Sequence, residues 1–373
     1  MLKVYIDPWN SKLQDKNFFN LGPIKENRKD SLLPWEYLYN YCLSRGIELK
    51  TADQIPSEKS KKKTYLYYSF GQLEGFRKLV GRNDIVFGSF YLFEPPIKLL
   101  PRNIDIYHNL EFLKSHFQRI YTTSPISCIN EIYKMKYGFD TLLFSYPQSY
   151  SNIIECYWGI DKRKFLVMVN SYRYSRLINN EFYSERIKAL KFFFKKKNID
   201  LYGDDWDKLS QNIIISLLNA ILWGIKWQSL IRVKDFMNSL SFRKELKSTK
   251  YSSNKYETLS QYKFALCYES MGIKGFISEK IFECFFVGTI PVFLGAPDIH
   301  RYIPENTFID RRNFKNYDEL YLFLINLKED EREEYRANIK NFLTSDYFKV
   351  FSKENFAAVF YENLLHDIKL LGK

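Results

Sequence analysis

The stretch Tyr262-Lys-Phe-Ala-Leu-Cys-Tyr-Glu-Ser270 and the run that follows it, Gly275-Phe-Ile-Ser-Glu-Lys-Ile-Phe-Glu-Cys-Phe-Phe-Val-Gly-Thr-Ile-Pro-Val-Phe-Leu-Gly-Ala-Pro297, decide the fold. The first is an apolar run that predicts a buried strand ending at Glu269. Ser278 is a suitable N-cap for a helix that stops at Gly288, and a second apolar strand follows. A strand, a helix and a strand in this order predict a parallel sheet with helices on its faces.

The start of this helix predicts a binding site for an anion. Glu279 and Lys280 fall in its first turn, beside the strand end that carries Glu269. The first N–H groups of a helix have no partner within it and carry partial positive charge, which favours phosphate. Lysine in a first turn is unfavourable for an isolated helix by about a few tenths of a kcal/mol, so its presence indicates a ligand. A surface Glu-Lys pair without a ligand is the alternative that these local features leave open.

Strands and helices alternate in both halves of the chain. Before residue 150 the predicted strands are Leu2–Ile6, Thr64–Phe70, Asp84–Phe90, Arg119–Thr122 and Thr141–Phe144, and the predicted helices are Pro34–Arg45 and Cys128–Lys136. After residue 160 the predicted strands are Phe165–Val169, Ile199–Tyr202, Phe264–Tyr268 and Thr289–Leu294, and the predicted helices are Tyr183–Lys195 and Ser278–Val287. We therefore predict an α/β protein with two Rossmann-like domains facing a cleft, because parallel sheets bind ligands at the carboxyl ends of their strands.

The domain boundaries follow from this alternation. We predict an N-terminal domain at residues 1–157 and a C-terminal domain at residues 158–350. Residues 204–260 are rich in Lys and Ser, and we interpret them as an insertion that caps one side of the cleft. Their apolar segment, Ile213–Ile225, is too short to span a membrane, and both a buried helix and a helix lying at a membrane surface fit it. Residues 351–373 are expected to form a helix that packs back on the N-terminal domain.

Composition and charge narrow the function without fixing it. The 373 residues are 46% hydrophobic and 18% aromatic, as in a packed enzyme rather than a disordered chain. The net charge of +13 suits an anionic partner, namely nucleic acid, an acidic membrane surface or a diphosphate-bearing substrate. Five dispersed cysteines without a C-x-x-C pair indicate a reducing, cytoplasmic location, and the N-terminus lacks the features of a signal peptide.

The stretch quoted first resembles the C-terminal signature of the α-1,3/4-fucosyltransferases, glycosyltransferase family 10. Matching elements appear in the family's order from residue 262 to residue 320: Tyr262-Lys-Phe264, Tyr268-Glu-Ser270, Phe276-Ile-Ser-Glu-Lys280, Gly288-Thr-Ile-Pro-Val292, Tyr302-Ile-Pro304, Thr307-Phe-Ile309 and Asn313–Leu320. The resemblance implies a GT-B type glycosyltransferase. Its N-terminal domain would be the acceptor side, and its C-terminal domain would bind a GDP-sugar.

Shorter upstream segments resemble further parts of the same family. Val169-Asn-Ser171 is similar to its Ser-Asn turn, Ser184-Glu-Arg186 to the helix that bears a donor-binding arginine, and Asp200-Leu-Tyr-Gly203 to its Asp-x-Tyr-Gly strand end. The resemblance implies a donor site that includes Asn170 and Arg186. Tyr202 would line the guanine pocket, with a position in the core as the alternative. Glu269 and Glu279 would accept hydrogen bonds from sugar or ribose hydroxyls.

Leu92-Phe-Glu-Pro-Pro96 resembles the family's Glu-Ser-Pro element, which supplies a catalytic carboxylate. This implies that Glu94 is the general base of an inverting transfer of L-fucose from GDP-fucose to a hydroxyl of a glycan, with an expected α-1,3 linkage to GlcNAc or glucose. Partial burial of such a carboxylate raises its affinity for a proton. An ordinary Glu in a proline-restricted loop is the alternative.

No metal and no other cofactor is expected. Arg186, Lys280 and the helix N-terminus together can neutralise a departing diphosphate in place of a divalent cation. The alternative is the acidic turn Asp204-Asp-Trp-Asp207, an Asp-x-Asp pattern of the kind that holds Mg²⁺ or Mn²⁺ in metal-dependent glycosyltransferases. Metal dependence would assign Asp205 and Asp207 to that role.

Three positions depart from the family pattern. Ser270 stands where the family usually has Asn, Phe276 where it has Tyr and Ser278 where it has Thr. Ser270 and Phe276 are expected at the donor site without the family's hydrogen-bonding groups, so another GDP-hexose such as GDP-mannose is an alternative donor.

A glycan-binding protein without activity and a basic nucleic-acid-binding protein are further alternatives. We expect no nucleic-acid partner, because the basic residues are scattered; peripheral contact with a membrane surface stays compatible with the charge.

Overall fold

The structure is a computed structural model that describes residues 2–9, 13, 18–19, 30–61, 63–71, 73–95, 104–160, 163–173, 180–206 and 254–371. Most of the predicted insertion (207–253), including Ile213–Ile225, lies outside these residues, as do Pro96 and Asp207. No helix among the described residues is both long and apolar enough to cross a membrane.

The first half of the chain builds a sheet from six strands. These are β1 (Leu2–Asp7), β2 (Ile47–Thr51), β3 (Tyr65–Ser69), β4 (Ile85–Leu92), β5 (Arg119–Thr122) and β6 (Leu142–Leu143). The helices in this part are α1 (Leu33–Leu43), α2 (Glu74–Leu79), α3 (Ile104–His108), α4 (Leu110–Lys114), α5 (Ile126–Tyr133) and α6 (Glu155–Trp158). The strand order is β2-β1-β3-β4-β5-β6, and neighbouring strands are parallel.

The second half builds a separate sheet from five strands. These are β7 (Lys164–Val169), β8 (Asp200–Tyr202), β9 (Tyr262–Tyr268), β10 (Ile290–Leu294) and β11 (Ile309–Asp310), in the order β11-β10-β9-β7-β8 and again parallel. The helices are α7 (Tyr183–Lys195), α8 (Lys255–Ser260), α9 (Glu279–Phe286), α10 (Tyr317–Asn326), α11 (Glu329–Leu343), α12 (Asp346–Lys349) and α13 (Lys353–Leu371). Short 3-10 helices lie at Asp30–Leu32, Ala52–Gln54, Ile299–Arg301, Glu305–Thr307 and Arg311–Asn313.

The predicted α/β class is therefore present, as two parallel sheets of Rossmann type in a GT-B arrangement. Each sheet has apolar clusters on both faces: the larger ones centre on Trp35 and on Phe117 in the first sheet, and on Phe282 and on Phe193 in the second. Burial on both faces explains why the strands read as nearly continuous apolar runs in the sequence. The predicted domain boundary near 157 falls between the sheets and stays a prediction.

The last helix, α13, lies on the first sheet although it follows the second in the chain. Phe356, Phe360 and Leu364 are buried in the same cluster as Trp35. A buried polar group fixes this contact: Asp367 is fully buried, accepts a hydrogen bond of 2.6 Å from the hydroxyl of Tyr68, and forms an ion pair with Arg119. Helix α13 thus completes the core of the first half.

Candidate active site

The loop between β9 and α9 forms as predicted from its residue types. Ser278 is the N-cap of α9, and Gly288 follows the helix with a φ of +71°, a backbone conformation that favours glycine. The carboxylate of Glu269, at the carboxyl end of β9, is fully buried and accepts hydrogen bonds from the Ser278 backbone N (2.8 Å) and from Ser278 Oγ (2.8 and 2.9 Å). Glu269 therefore holds the loop to the strand, and its contact with a sugar hydroxyl stays a prediction.

Lys280 lies in the first turn of α9, among acceptors. Its Nζ is 3.3 Å from Oε2 of Glu269, 3.5 Å from Oε1 of Glu279 and 2.9 Å from Oγ of Ser278. Burial opposes the charge of Lys280, but the carboxylates of Glu269 and Glu279 outweigh it and raise the pKa of the ammonium group above its usual value. The pairing explains the unfavourable lysine without requiring a ligand. Its side chain is 20% exposed, so it remains available to one.

Neighbouring lysines keep the Glu279 carboxylate charged although it is surrounded by protein. Burial acts to raise its pKa, but Lys280 and Lys255 prevail and lower it to about 2. One turn further along α9, Glu283 forms an ion pair with Lys255. Burial raises the pKa of Glu283 to about 7 against the opposing charge of Lys255. Glu283 was not predicted as a site residue, although its i, i+4 spacing from Glu279 places both carboxyl groups on one side of the helix.

Glu94 follows β4, in the first half of the chain, but faces the α9 site in the second. The charges of Lys280, Glu279, Glu269 and Arg173 all act on its carboxyl group. Its side chain reaches solvent, yet protein surrounds it closely enough that burial raises the pKa of Glu94, with Lys280 opposing. The backbone here is held by the Tyr107 hydroxyl, which donates to the carbonyl O of Glu94 over 2.5 Å. Glu94 is thus within electrostatic reach of the α9 residues, and its role as general base stays a prediction.

The carboxyl ends of the two sheets meet at this site. Gly275, in the loop between β9 and α9, has a φ of +77°, and a Cβ built on it would lie 2.6 Å from the carbonyl O of Thr123, just after β5. Phe276 is 4% exposed and packs with Tyr183 in a cluster that Cys128 and Ile132 of α5 also contact. Phe276 therefore contributes apolar packing between the halves, and its contact with a donor stays a prediction.

Arg186 lies on α7 and is 4% exposed. Its Nη2 donates to the carbonyl O of Tyr268 over 2.6 Å, and its guanidinium lies 4.9 Å from the ring centre of Tyr183. Within the described part of the chain, its Nε has no hydrogen-bond partner. A buried N–H without a partner is costly, so this donor is suited to an anionic ligand. Burial lowers the pKa of Arg186, with Tyr183 and Glu269 opposing, but a guanidinium stays charged at neutral pH.

Asn170 follows β7 and Tyr202 ends β8, so the two lie at neighbouring strand ends. The N–H of Asn170 donates to the carbonyl O of Tyr202 over 2.9 Å, and Nε1 of Trp206 donates to the carbonyl O of Asn170 over 2.7 Å. The Tyr202 ring is 9% exposed and its hydroxyl is 3.3 Å from that of Tyr262, within an apolar cluster of the second half. This is the core position named as the alternative, and a guanine contact stays a prediction.

Ser270 is 8% exposed, and its carbonyl O accepts from the N–H of Phe182 over 3.0 Å.

The acidic turn after β8 is paired with a cation, the guanidinium of Arg173. Nη1 of Arg173 donates to Oδ2 of Asp205 over 2.7 Å. In the residues that the structure describes, three or more His, Cys, Asp or Glu side chains are nowhere grouped so that they could hold a metal ion. Asp207 is outside that part of the chain, and metal independence stays a prediction.

Two residues near Glu94 were missed by the sequence analysis. Arg173 acts on Glu94, as described above. Tyr146 contacts the ring of Phe93 edge to face at 5.4 Å, and burial, with the charges of Glu279 and Glu94, raises the pKa of its hydroxyl well above its usual value. Neither carries a local sequence signal, because each reaches the site through the tertiary fold.

Comparison with known proteins finds a family similar to the C-terminal part of the chain. Residues 226–342 match the family model described as Glycosyltransferase family 10 (fucosyltransferase) C-term. Alpha-(1,3)-fucosyltransferase FucT of Helicobacter pylori is 31% identical over 150 residues, 39% of this chain and 30% of FucT. GDP-fucose protein O-fucosyltransferase 3 of Danio rerio is 41% identical over 51 residues, 14% of this chain and 11% of that protein. The matches thus span less than a third of either relative.

Solved structures share the fold over the whole chain. Anabaena Alr3699/HepE in complex with UDP has a TM-score of 0.51 and 10% identity, and the match covers 98% of this chain and 100% of that one. At this identity the likeness concerns the fold alone. The similarity to glycosyltransferase family 10 lies in the matched segment, which contains Glu269, Glu279 and Lys280. Residues 226–342 are therefore similar to the C-terminal domain of glycosyltransferase family 10, the fucosyltransferase family.

Proposed function

We propose that this chain is an inverting, metal-independent glycosyltransferase that moves L-fucose from GDP-fucose to a hydroxyl of a glycan, with Glu94 as general base. The observation that carries the proposal is that the charges of Lys280 and Glu279, from the second half, act on the carboxyl group of Glu94, from the first. Between them lies the place where a sugar donor and an acceptor would meet. The fucosyltransferase relatives supply the donor class.

The leaving group is the diphosphate of GDP, on which negative charge grows as the bond to the sugar breaks. Lys280, the N–H groups that open α9 and Arg186 are positive groups fixed before the reaction starts. Preorganised charge of this kind is often the largest single contribution to catalysis. The unpaired Nε of Arg186 supports this role, since a phosphate oxygen would satisfy it.

Glu94 would act on the acceptor. Its carboxylate takes the proton of the acceptor hydroxyl as that oxygen bonds to the anomeric carbon, while the bond from this carbon to the diphosphate oxygen breaks and GDP departs. Attack on the face opposite GDP inverts the anomeric centre. The raised pKa of Glu94 supports the assignment, because a base works best with a pKa close to the working pH.

The acceptor, the linkage and the location are finer points of the same proposal. We infer GlcNAc or glucose as the acceptor sugar and an α-1,3 linkage, and only the linkage is in line with the name of the Helicobacter pylori relative. A protein hydroxyl is the acceptor class that the Danio rerio relative suggests. All five cysteines are free, which supports a cytoplasmic location.

Calorimetry with GDP-fucose, GDP-mannose and a UDP-sugar, each with and without EDTA, tests the donor and the metal. We expect binding of GDP-fucose that EDTA leaves unchanged. Preference for UDP would overturn the proposal, and loss of binding in EDTA would assign a metal to Asp205 and Asp207. The departures at Ser270 and Phe276 favour GDP-mannose as the second candidate, and tighter binding of GDP-mannose would select it.

A transfer assay with the preferred donor and a GlcNAc-containing acceptor then tests the reaction. Release of GDP together with a fucosylated product is the expected result. Donor binding without transfer to any glycan or protein acceptor would support the glycan-binding alternative. A salt titration of RNA and DNA binding tests the remaining one, because binding to phosphate backbones weakens steeply with salt.

A further inference from the structure

Arg173 lies in the loop after β7, at the same sheet edge as Asp205, which follows β8. The two strands are parallel neighbours, with Val169 opposite Tyr202, so both loops leave the sheet at its carboxyl end. Nη1 of Arg173 donates to Oδ2 of Asp205 over 2.7 Å and to the carbonyl O of Tyr172 over 2.9 Å. Two acceptors therefore fix one end of the guanidinium.

The loop that carries Asp205 is itself held in place. Asp205 has a φ of +68°, a left-handed conformation that non-glycine residues adopt at a cost. Next to it, Trp206 packs against Tyr172 with ring centres 5.6 Å apart and donates to the carbonyl O of Asn170. These contacts join the two loops, and the carboxylate of Asp205 is directed at Arg173.

Arg173 follows β7, which lies between β8 and β9 in a parallel sheet, so it stands at the sheet edge from which the loop to α9 also leaves. Its side chain is 50% exposed, so solvent or a ligand can reach it. Its charge acts on Glu94 and on Tyr183, and Lys280 acts on both of these residues as well. Arg186, which contacts Tyr183, completes a group of three cations drawn from the β7 loop, α7 and α9.

We propose that Arg173 is a third diphosphate-binding cation of this site and that Asp205 is its positioning residue. The carboxylate of Asp205, which suggested a metal site in the sequence, would then position the guanidinium of Arg173. This inference rests on the proposed function, since it places a nucleoside diphosphate between the three cations. Arginine suits such a ligand because its planar fork binds phosphate oxygens in pairs.

Calorimetry of the full chain with GDP and with guanosine, in EDTA, tests the proposal. Arg173→Ala should weaken GDP binding about tenfold and leave guanosine binding unchanged, because only GDP carries the charge that Arg173 contacts. Lys349→Ala removes an exposed cation paired with Asp346 and should leave both affinities unchanged. Unchanged GDP affinity in Arg173→Ala, or an equal loss for GDP and guanosine, would overturn the inference.

Two further variants test the positioning role. Asp205→Asn should raise KM for the donor more than it lowers kcat, and it should have no further effect in the Arg173→Ala background. Arg173→Lys should restore part of the lost GDP affinity. Additive effects of Asp205→Asn and Arg173→Ala would show that Asp205 acts independently and would overturn the pairing.

The same measurements separate this inference from the proposed function. A wild-type chain that binds GDP through Arg173 but transfers no sugar contradicts the proposed reaction and keeps the diphosphate site. Transfer by the wild type with GDP affinity unchanged in Arg173→Ala contradicts only this inference. A wild-type chain that does not bind GDP contradicts both.

Discussion

Nζ of Lys280 lies 3.3 Å from Oε2 of Glu269, so the cation proposed for the departing diphosphate already has a fully buried carboxylate as its partner. This gives Lys280 two separable roles. One is to compensate a buried charge within the protein, and the other is to attract an anion.

Lys280→Met should affect both roles. Loss of the partner leaves the Glu269 charge uncompensated and should lower the free energy of unfolding by about 3 kcal/mol, while GDP binding should weaken by at least about tenfold. In the double variant Lys280→Met, Glu269→Gln, part of the stability should return but the GDP affinity should not. Urea denaturation and calorimetry measure the two effects, and recovery of both together would mean that Lys280 acts only through folding.

Glu94→Gln should abolish transfer and spare donor binding. Removal of a general base costs about 10²- to 10⁴-fold in rate, whereas the amide keeps the size of the side chain. In the wild type, kcat should rise with pH through the raised pKa of Glu94, because only the carboxylate accepts a proton. Kinetics across pH check both points, and Glu111→Gln on the exposed surface of α4 is the control. A variant with normal turnover would place the base elsewhere.

Glu283 should make stability depend on pH. Its pKa is raised from 4.5 to about 7 in the folded state, so between these values the folded protein holds a proton that the unfolded chain releases. Stability is therefore present at low pH and is lost as pH rises through this window, by at most about 3 kcal/mol. Glu283→Gln should flatten this dependence in urea denaturation series at several pH values, whereas Glu362→Gln, on an exposed position of α13, should not. A wild-type stability that rises over the same window would contradict the prediction.

Gly275→Ala should be more harmful than Gly46→Ala. Both residues have positive φ (+77° and +81°), so both substitutions incur the cost of a left-handed backbone, about 1 to 2 kcal/mol. Only at Gly275 does the added Cβ meet another backbone atom, the carbonyl O of Thr123 at 2.6 Å; at Gly46 it meets nothing within 4 Å. Thermal denaturation and donor affinity should both separate the two variants. Equal effects would show that the contact between the halves yields easily.

The sequence predicted most of the described strands, and the helices α1, α5, α7, α9 and α13, because these elements carry a local signal. The apolar runs at Phe264–Tyr268 and Thr289–Leu294, the cap at Ser278 and the stop at Gly288 depend on neighbouring residues only, and the structure shows all four features. Strand β2 (Ile47–Thr51) was missed, since its Glu48 and Lys50 break the apolar run.

The site was less predictable, because proximity between distant segments leaves no local trace. The resemblance selected Glu94, Arg186 and Lys280, and the structure brings their charges together. The resemblance could not show that Ser278 donates hydrogen bonds to Glu269, nor that Arg173 donates one to Asp205. Both relationships depend on the packing of loops at strand ends.

The position of α13 has a consequence for synthesis on the ribosome. The aromatic face of the first sheet, with Trp35, Phe70 and Tyr91, is covered by Phe356 and Phe360. From the translation of Leu143 to that of Leu371 this face has no cover from α13, an interval of roughly 10 to 45 s at 5 to 20 residues per second. The nascent chain therefore exposes this aromatic face while the second half is made. It can aggregate or bind chaperones through this face until α13 has been synthesised.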